Sequence, residues 1–220
     1  IDLMFGLPGQ TKLELDNDIT MALEIDSSHI SYYHLTIEPN TFFHKHPPKI
    51  PNQDESAELF DLVNTKLKKN NFLHYETSAY AKKGSECQHN LNYWNFGDYL
   101  GLGAGAHSKI TTEESIVRYA CHKNPKYYIS EVNKNNYINE KQLLTTNDRI
   151  FEFMMNSLRL NDGFQINSFE ERTNLPIKEI EKELSTAKNK KLIKEINGRI
   201  KPTILGQKFL NELLQIFLRN

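Results

Sequence analysis

Apolar positions along the first hundred residues switch between two periods. "IDLMFG" opens the chain as an apolar run of strand length, and the turn signal "LPGQT" follows. In "LELDNDITMALEI", Leu15, Ile19 and Leu23 recur every four residues, which places them on one face of a helix. "HISYYHLTIEP" reads as a second strand. After a proline-rich loop, Asn52 and Glu55 have the spacing of a capping box ahead of a helix with Ala57, Phe60, Val63 and Leu67 on its apolar face. "FLHYETSAYA" reads as a third strand. Strands separated by helices imply right-handed crossovers and a parallel sheet with functional groups at the C-terminal strand ends. The loops "LPGQT", "EPNT" and the one holding "HNLNYW" are therefore expected on one face.

The pattern changes after Asp98. "YLGLGAGAHSKIT" and "SIVRYACH" read as strands around a polar turn, and "NPKYYISEVNKNN" as a short connecting helix. From about residue 145 helices dominate: "NDRIFEFMMNSLRL", "SFEERTN" and "PIKEIEKELSTAKNKK". Two extended pieces, "LIKEING" and "RIKPT", then precede a final helix, "LGQKFLNELLQIFL". Helix, helix, β-hairpin, helix is the outline of a winged helix. The expected architecture is α/β, with a barrel-like region at 1–112, a hairpin strand and connecting helix at 113–144, and a small winged-helix-like α+β domain at 145–220. The chain starts without methionine on a strand already under way, as expected of a piece of a longer protein.

Charge narrows the classes of partner. With 27 basic and 28 acidic residues the net charge is -1, so no global field draws the chain to nucleic acid or anionic lipid. The candidate recognition helix of the winged-helix outline carries Glu179, Glu181 and Glu183, which phosphates would repel, so this domain reads as a cap and not as a DNA-binding module. Two cysteines, Cys87 and Cys121, are too few for a disulfide scaffold, and a reducing cytoplasm is the expected location. No apolar run reaches the roughly 18 residues of a membrane span, so contact with a membrane is expected only through partners.

Three features carry candidate chemistry. "GLGAGA" at 101–106 satisfies a dinucleotide-binding search through Gly101, Gly103 and Ala106, but no helix opens there and position 121 is a cysteine, not an acid. Its glycines read better as a close backbone approach to a ligand or another segment. Among eight histidines, His44 and His46 lie in a proline-rich loop, and His122 sits beside Cys121 without a third ligand. Cys87 and His89 would project to one side of an extended chain, with His107 at the end of a strand nearby. His44 and His46 read as solvated, and His89 and His107, each taken alone, as buried structural histidines. "HNLNYW" at 89–94, which holds the only tryptophan, is either a turn whose rings plug a core or a seat for a flat, metal-containing ligand.

"DLMFGLPGQT", "YYHLTIEPNT", "YETSAYAKKGSECQHNLNYWNFGDYLGLGAGAHS" and "LRLNDGF" together resemble, in order and spacing, the HemW-type haem chaperones. That family belongs to the radical-SAM proteins and is oxygen-independent coproporphyrinogen III oxidase-like. The resemblance covers essentially the whole chain. It implies the C-terminal part of a partial (β/α)6 radical-SAM barrel followed by the winged-helix-like domain. Family members begin with a Cys-x-x-x-Cys-x-x-Cys segment that holds a 4Fe-4S cluster; that segment is absent here, and two scattered cysteines cannot build the cluster.

The His-Asn-x-x-Tyr-Trp signature, implicated in haem binding, is present as His89, Asn90, Tyr93 and Trp94, with His89 the implied axial ligand. Asp2, read as lying in the C-terminal half of the first strand, together with Leu35 and His107, matches positions lining the S-adenosylmethionine site. The implied function is to bind haem and pass it to acceptor haemoproteins, respiratory ones foremost, with homodimerisation left open. The alternative is radical decarboxylation of coproporphyrinogen III. On either reading this chain alone is expected to be inactive in radical chemistry, because the cluster delivers the electron.

Overall fold

The structure is a computed structural model that describes residues 1–219. It divides into two compact units, Ile1–Cys87 and the chain from Gln88 onward.

In the first unit, β1 (Asp2–Phe5) leads to α1 (Lys12–Glu24), β2 (His29–His34), a single turn α2 (Phe42–Lys45), α3 (Gln53–Lys69), β3 (Leu73–Glu76) and β4 (Ala79–Ala81). The sheet order is β1-β2-β4-β3. Only β1 and β2 run parallel, in register Asp2↔Ser31 to Phe5↔His34. The stretch expected as one strand over 72–81 is a hairpin, and β4 lies antiparallel to both β2 and β3. Thr77 and Ser78 make the turn, a polar pair short enough to leave the alternation on either side looking continuous. The sheet is therefore mixed, not parallel throughout.

The capping box expected of Asn52 with Glu55 forms, and a second one stands at Thr11 with Glu14. On α1 the buried residues are Leu15, Ile19 and Ala22, and on α3 they are Leu59, Val63 and Leu67. Leu59 replaces the exposed Ala57 on the buried face. These side chains meet Phe5, Ile30, Tyr32, Phe72 and Tyr80 in one core. Burial of roughly a dozen apolar side chains, each worth about 1.5–3 kcal/mol, is what pins the helices to the sheet.

The second unit opens with α4 (Gln88–Trp94), which makes "HNLNYW" helical, not a loop. β5 (His107–Thr111), β6 (Ile116–Cys121), α5 (Pro125–Val132) and β7 (Ile138–Leu143) follow. The three strands form an antiparallel sheet in the order β5-β6-β7. β7 is an outer strand whose six side chains are all exposed. Then come α6 (Thr146–Ser157), β8 (Phe164–Gln165), α7 (Ile166–Thr173), a 3-10 turn over Ile177–Ile180, α8 (Glu181–Asn189), β9 (Ile193–Ile196), β10 (Arg199–Pro202), α9 (Ile204–Lys208) and α10 (Leu210–Gln215). The sheet β8-β10-β9 beside α6, α7 and α8 has the winged-helix order. The expected single last helix breaks at Phe209, which has φ -115° and ψ 46°.

"GLGAGA" precedes β5, and no helix starts at its end. A Cβ on Gly101 would lie 2.0 Å from the His107 carbonyl oxygen, so glycine is needed for the approach of one backbone segment to another.

The core of this unit gathers Phe96, Ile116 and Leu144 with Ile150, Phe153, Phe169, Ile200, Leu213 and Phe217. Residues before 145 thus share a core with the winged helix, and the compact units part at 87/88, upstream of the boundary expected near 112. A segment starting at Gln88 is accordingly expected to unfold cooperatively and at a higher temperature than one starting at Thr145, which lacks Phe96 and Ile116. Calorimetry of the two segments checks this. Equal midpoints would show that the first three strands add nothing to this core.

Candidate functional site

α4 carries all four residues of the signature. His89 is exposed, and among the described residues neither ring nitrogen has a hydrogen-bond partner. Tyr93, one helical turn on, meets the imidazole edge to face with ring centroids 4.8 Å apart and planes at 76°. Asn90 is partly buried. Trp94 faces the other way in function: its carbonyl accepts from Ser157 Oγ at 3.3 Å, and the Arg159 guanidinium lies 4.9 Å from its ring centroid. The Trp94 Nε1 is buried and, among the described residues, has no hydrogen-bond acceptor.

A seven-residue helix does not hold itself together in water. Its exit is fastened instead. Asn92 Nδ2 donates to the Asp98 carbonyl at 3.0 Å, and the Gly97 N–H donates to the Asn92 carbonyl at 2.7 Å. A Cβ on Gly97 would fall 2.8 Å from the Asn92 carbonyl oxygen and closer still to its side-chain amide, so any larger residue there would push the Asn92 side chain out of place. Below it lies Lys109, 1 % exposed. Its ammonium donates to Asp98 Oδ1 at 2.8 Å, to the Phe96 carbonyl at 3.0 Å and to Thr111 Oγ1 at 3.1 Å, and it sits 4.1 Å from the Phe96 ring centroid. Burial is the largest influence on Lys109 and pushes its pKa down, while Asp98 pulls against that. For Asp98, burial alone pushes upward, but the hydrogen bonds from Lys109 and Thr111 outweigh it and hold the carboxyl below its usual value.

Beside α4, Tyr99 packs on Tyr93 with centroids 4.5 Å apart. Its hydroxyl accepts from Arg118 Nη1 at 2.9 Å, and Arg118 is paired with Glu152 through both Nε and Nη2. Tyr99, Lys109, Arg118 and Glu152 do not stand out in a motif search. The available signal was a cation inside each of two apolar strands, Lys109 in "HSKIT" and Arg118 in "IVRYAC".

The remaining candidates are dispersed. Asp2 is the first residue of β1, not in its C-terminal half, while Leu35 follows the end of β2 with its N–H on the Phe5 carbonyl. The two therefore stand at opposite ends of the parallel pair. His107 is the exposed first residue of β5. Because 88–94 is helical, strand alternation does not align Cys87 with His89. Among the described residues no group of three or more His, Cys, Asp or Glu is placed to hold a bare metal ion. A haem iron asks for less, namely one imidazole nitrogen, and both ring nitrogens of His89 are without a partner among the described residues.

Among the described residues no helix is long and apolar enough to cross a membrane. Residues 144–209 match the HemN C-terminal domain family. The chain is 42% identical over 219 residues to the heme chaperone HemW of Haemophilus influenzae, covering 99% of this chain and 56% of that protein. It is 38% identical to the heme chaperone HemW of Escherichia coli, with 99% of this chain and 57% of that protein covered. Among solved structures it resembles the Escherichia coli coproporphyrinogen III oxidase HemN, described as a radical SAM enzyme. The TM-score is 0.73 at 18% identity, over 99% of this chain and 54% of that one. That likeness bears out the α/β fold class. The chain spans about half the length of the curated relatives it matches. Residues 144–209 thus match the HemN C-terminal domain family, and over nearly its whole length the chain is similar to proteins named heme chaperone HemW.

Proposed function

We propose that this chain supplies the haem-holding part of a haem chaperone, with haem as cargo and not as a resident cofactor. One observation carries the reading: an exposed imidazole with both nitrogens uncommitted among the described residues, on a helix whose far end is fastened at Asp98. His89 would take the iron, Tyr93 would hold the ring's orientation, and Trp94 would tie the helix down through Ser157 and Arg159. Exposure suits transfer, because a ligand that must be handed on cannot be enclosed as a permanent prosthetic group is. Acceptors are, on this reading, respiratory haemoproteins. The assignment of S-adenosylmethionine to Asp2, Leu35 and His107 rests on the resemblance alone. A 4Fe-4S cluster would need donors beyond Cys87 and Cys121.

Titration of haemin into the full chain is expected to give a shifted Soret band. His89→Ala should weaken binding by about tenfold or more and change the spectrum, since it removes the iron bond itself. Cys87 is the rival ligand; a thiolate gives a different spectrum, lost in Cys87→Ser. Unchanged affinity and spectrum in His89→Ala, with loss in Cys87→Ser, would sink the histidine assignment.

A further inference from the structure

The aromatic contact beside His89 continues beyond the signature. Tyr93 contacts both His89 and Tyr99, with ring centroids 4.8 and 4.5 Å away. Tyr99 is fixed twice over. Its backbone exchanges hydrogen bonds with Lys109 in both directions at 3.0 Å, and its hydroxyl is held by Arg118. Arg118 in turn is gripped by Glu152 at 3.0 and 2.8 Å through Nε and 2.5 Å through Nη2, with side-chain exposures of 25% and 18%. A forked guanidinium–carboxylate pair of this kind is geometrically rigid, more so than any lysine pair.

We propose that Tyr99 is a positioning residue for the His89 imidazole, acting through Tyr93, with Arg118 and Glu152 as its anchor. This rests on the haem reading above. A histidine in the first turn of a short exposed helix has several open rotamers, and an iron ligand must present one nitrogen along one direction. Metal-binding histidines are usually oriented by a hydrogen bond from the second ring nitrogen. None is present among the described residues, so orientation falls to the edge-to-face contact with Tyr93. Tyr93 is useful for this only if its own ring cannot swing, and the Tyr99 ring packed against it at 4.5 Å restrains that motion. The column runs from Glu152 on α6 through Arg118 on β6 to Tyr99 and Tyr93, so three separate elements hold one imidazole. A hydroxyl at position 99, where phenylalanine would fill the same space, is explained by its bond to Arg118.

The test uses the full chain loaded with haemin, read by optical titration and by the electron paramagnetic resonance spectrum of the ferric complex, with circular dichroism to confirm folding. Tyr99→Ala is expected to weaken haemin about tenfold and to broaden the ferric signal, because the imidazole then adopts several orientations. Tyr99→Phe keeps the ring and should restore most of the affinity while retaining part of the broadening. A purely structural role would lower the melting temperature and leave the ferric line shape untouched. That result, or wild-type affinity and line shape in Tyr99→Ala, overturns the proposal. Should Tyr99→Ala fail to fold, Tyr99→Phe and Arg118→Lys decide by the same line shape: broadening supports the column, and a wild-type signal in both overturns it. His89→Ala separates the two levels. If it leaves the haem spectrum unchanged, the haem reading falls and the column with it. If it changes the spectrum while the Tyr99 variants do not, only the column falls.

Discussion

Phe153→Ala is expected to cost about 3–5 kcal/mol of unfolding free energy, the range for deleting a phenylalanine from a packed core. Phe153 is 1% exposed and stands at the centre of the second unit's core. Its ring makes edge-to-face contacts with Phe96, Phe164 and Phe169 at centroid distances of 5.9, 5.0 and 5.2 Å. Three aromatic partners from three different segments leave the site little freedom to collapse around a methyl group, which places the loss toward the upper end. Urea unfolding followed by far-ultraviolet circular dichroism measures it, with the midpoint falling and the slope unchanged. A loss below about 1 kcal/mol would mean that the aromatic cluster is loosely packed and that the fold of this unit is organised elsewhere.

The second large effect lies at Lys109. Asp98→Ala leaves an ammonium group 1% exposed with a carbonyl and a hydroxyl but no counter-charge. Breaking a buried pair costs about 3–5 kcal/mol, and because Asp98 is itself 37% exposed the expected loss is about 3 kcal/mol. The reciprocal change, Lys109→Met, should cost about 1 kcal/mol or less, since water and Thr111 can satisfy the carboxylate left behind. Equal losses for the two variants would show that the desolvated lysine is not what makes the pair matter.

The pH dependence follows from the same groups. Asp98 is held below its unfolded value, so its contribution is complete above the ordinary aspartate range, near pH ~3.9, and is lost as pH falls through the depressed folded value. Lys109 is also depressed, chiefly by burial, so between its folded value and about 10.4 the unfolded chain binds more protons and stability rises with pH. Acid should therefore weaken the wild type more than Asp98→Ala.

What could be read from the sequence was local. The capping box at Asn52 and most of the apolar stripes of α1 and α3 depend on residues within a turn or two of each other, and Leu15, Ile19, Val63 and Leu67 are buried where the spacing puts them; Leu59 takes the place expected of Ala57, and the second box, at Thr11, went unread. The hairpin at 73–81 was hidden because a two-residue turn keeps the strand alternation unbroken. α4 was hidden for another reason: His89, Asn90, Asn92 and Tyr93 give no apolar stripe, and the contacts that hold the helix come from Ser157 and Asp98. β7 has no buried face, so there was no alternation to find. The signature residues were legible through resemblance, whereas their support, at positions 99, 109, 118 and 152, is scattered along the chain and meets only when β5, β6 and α6 come together.

The bare outer strand β7 has a further bearing on how this protein behaves at high concentration. Val117↔Leu143 through Ala120↔Glu140 tie one side of it to β6, and no strand lies beyond it in its sheet among the described residues. Such a margin is an open template on which another polypeptide can build, the usual starting point of sticky, insoluble assemblies. Here Glu140 and Lys141 occupy the middle of the strand, so an incoming margin would have to strip water from charges at the point of closest approach. Residues in this strand contribute little to holding the fold together; their chemistry guards it against its neighbours.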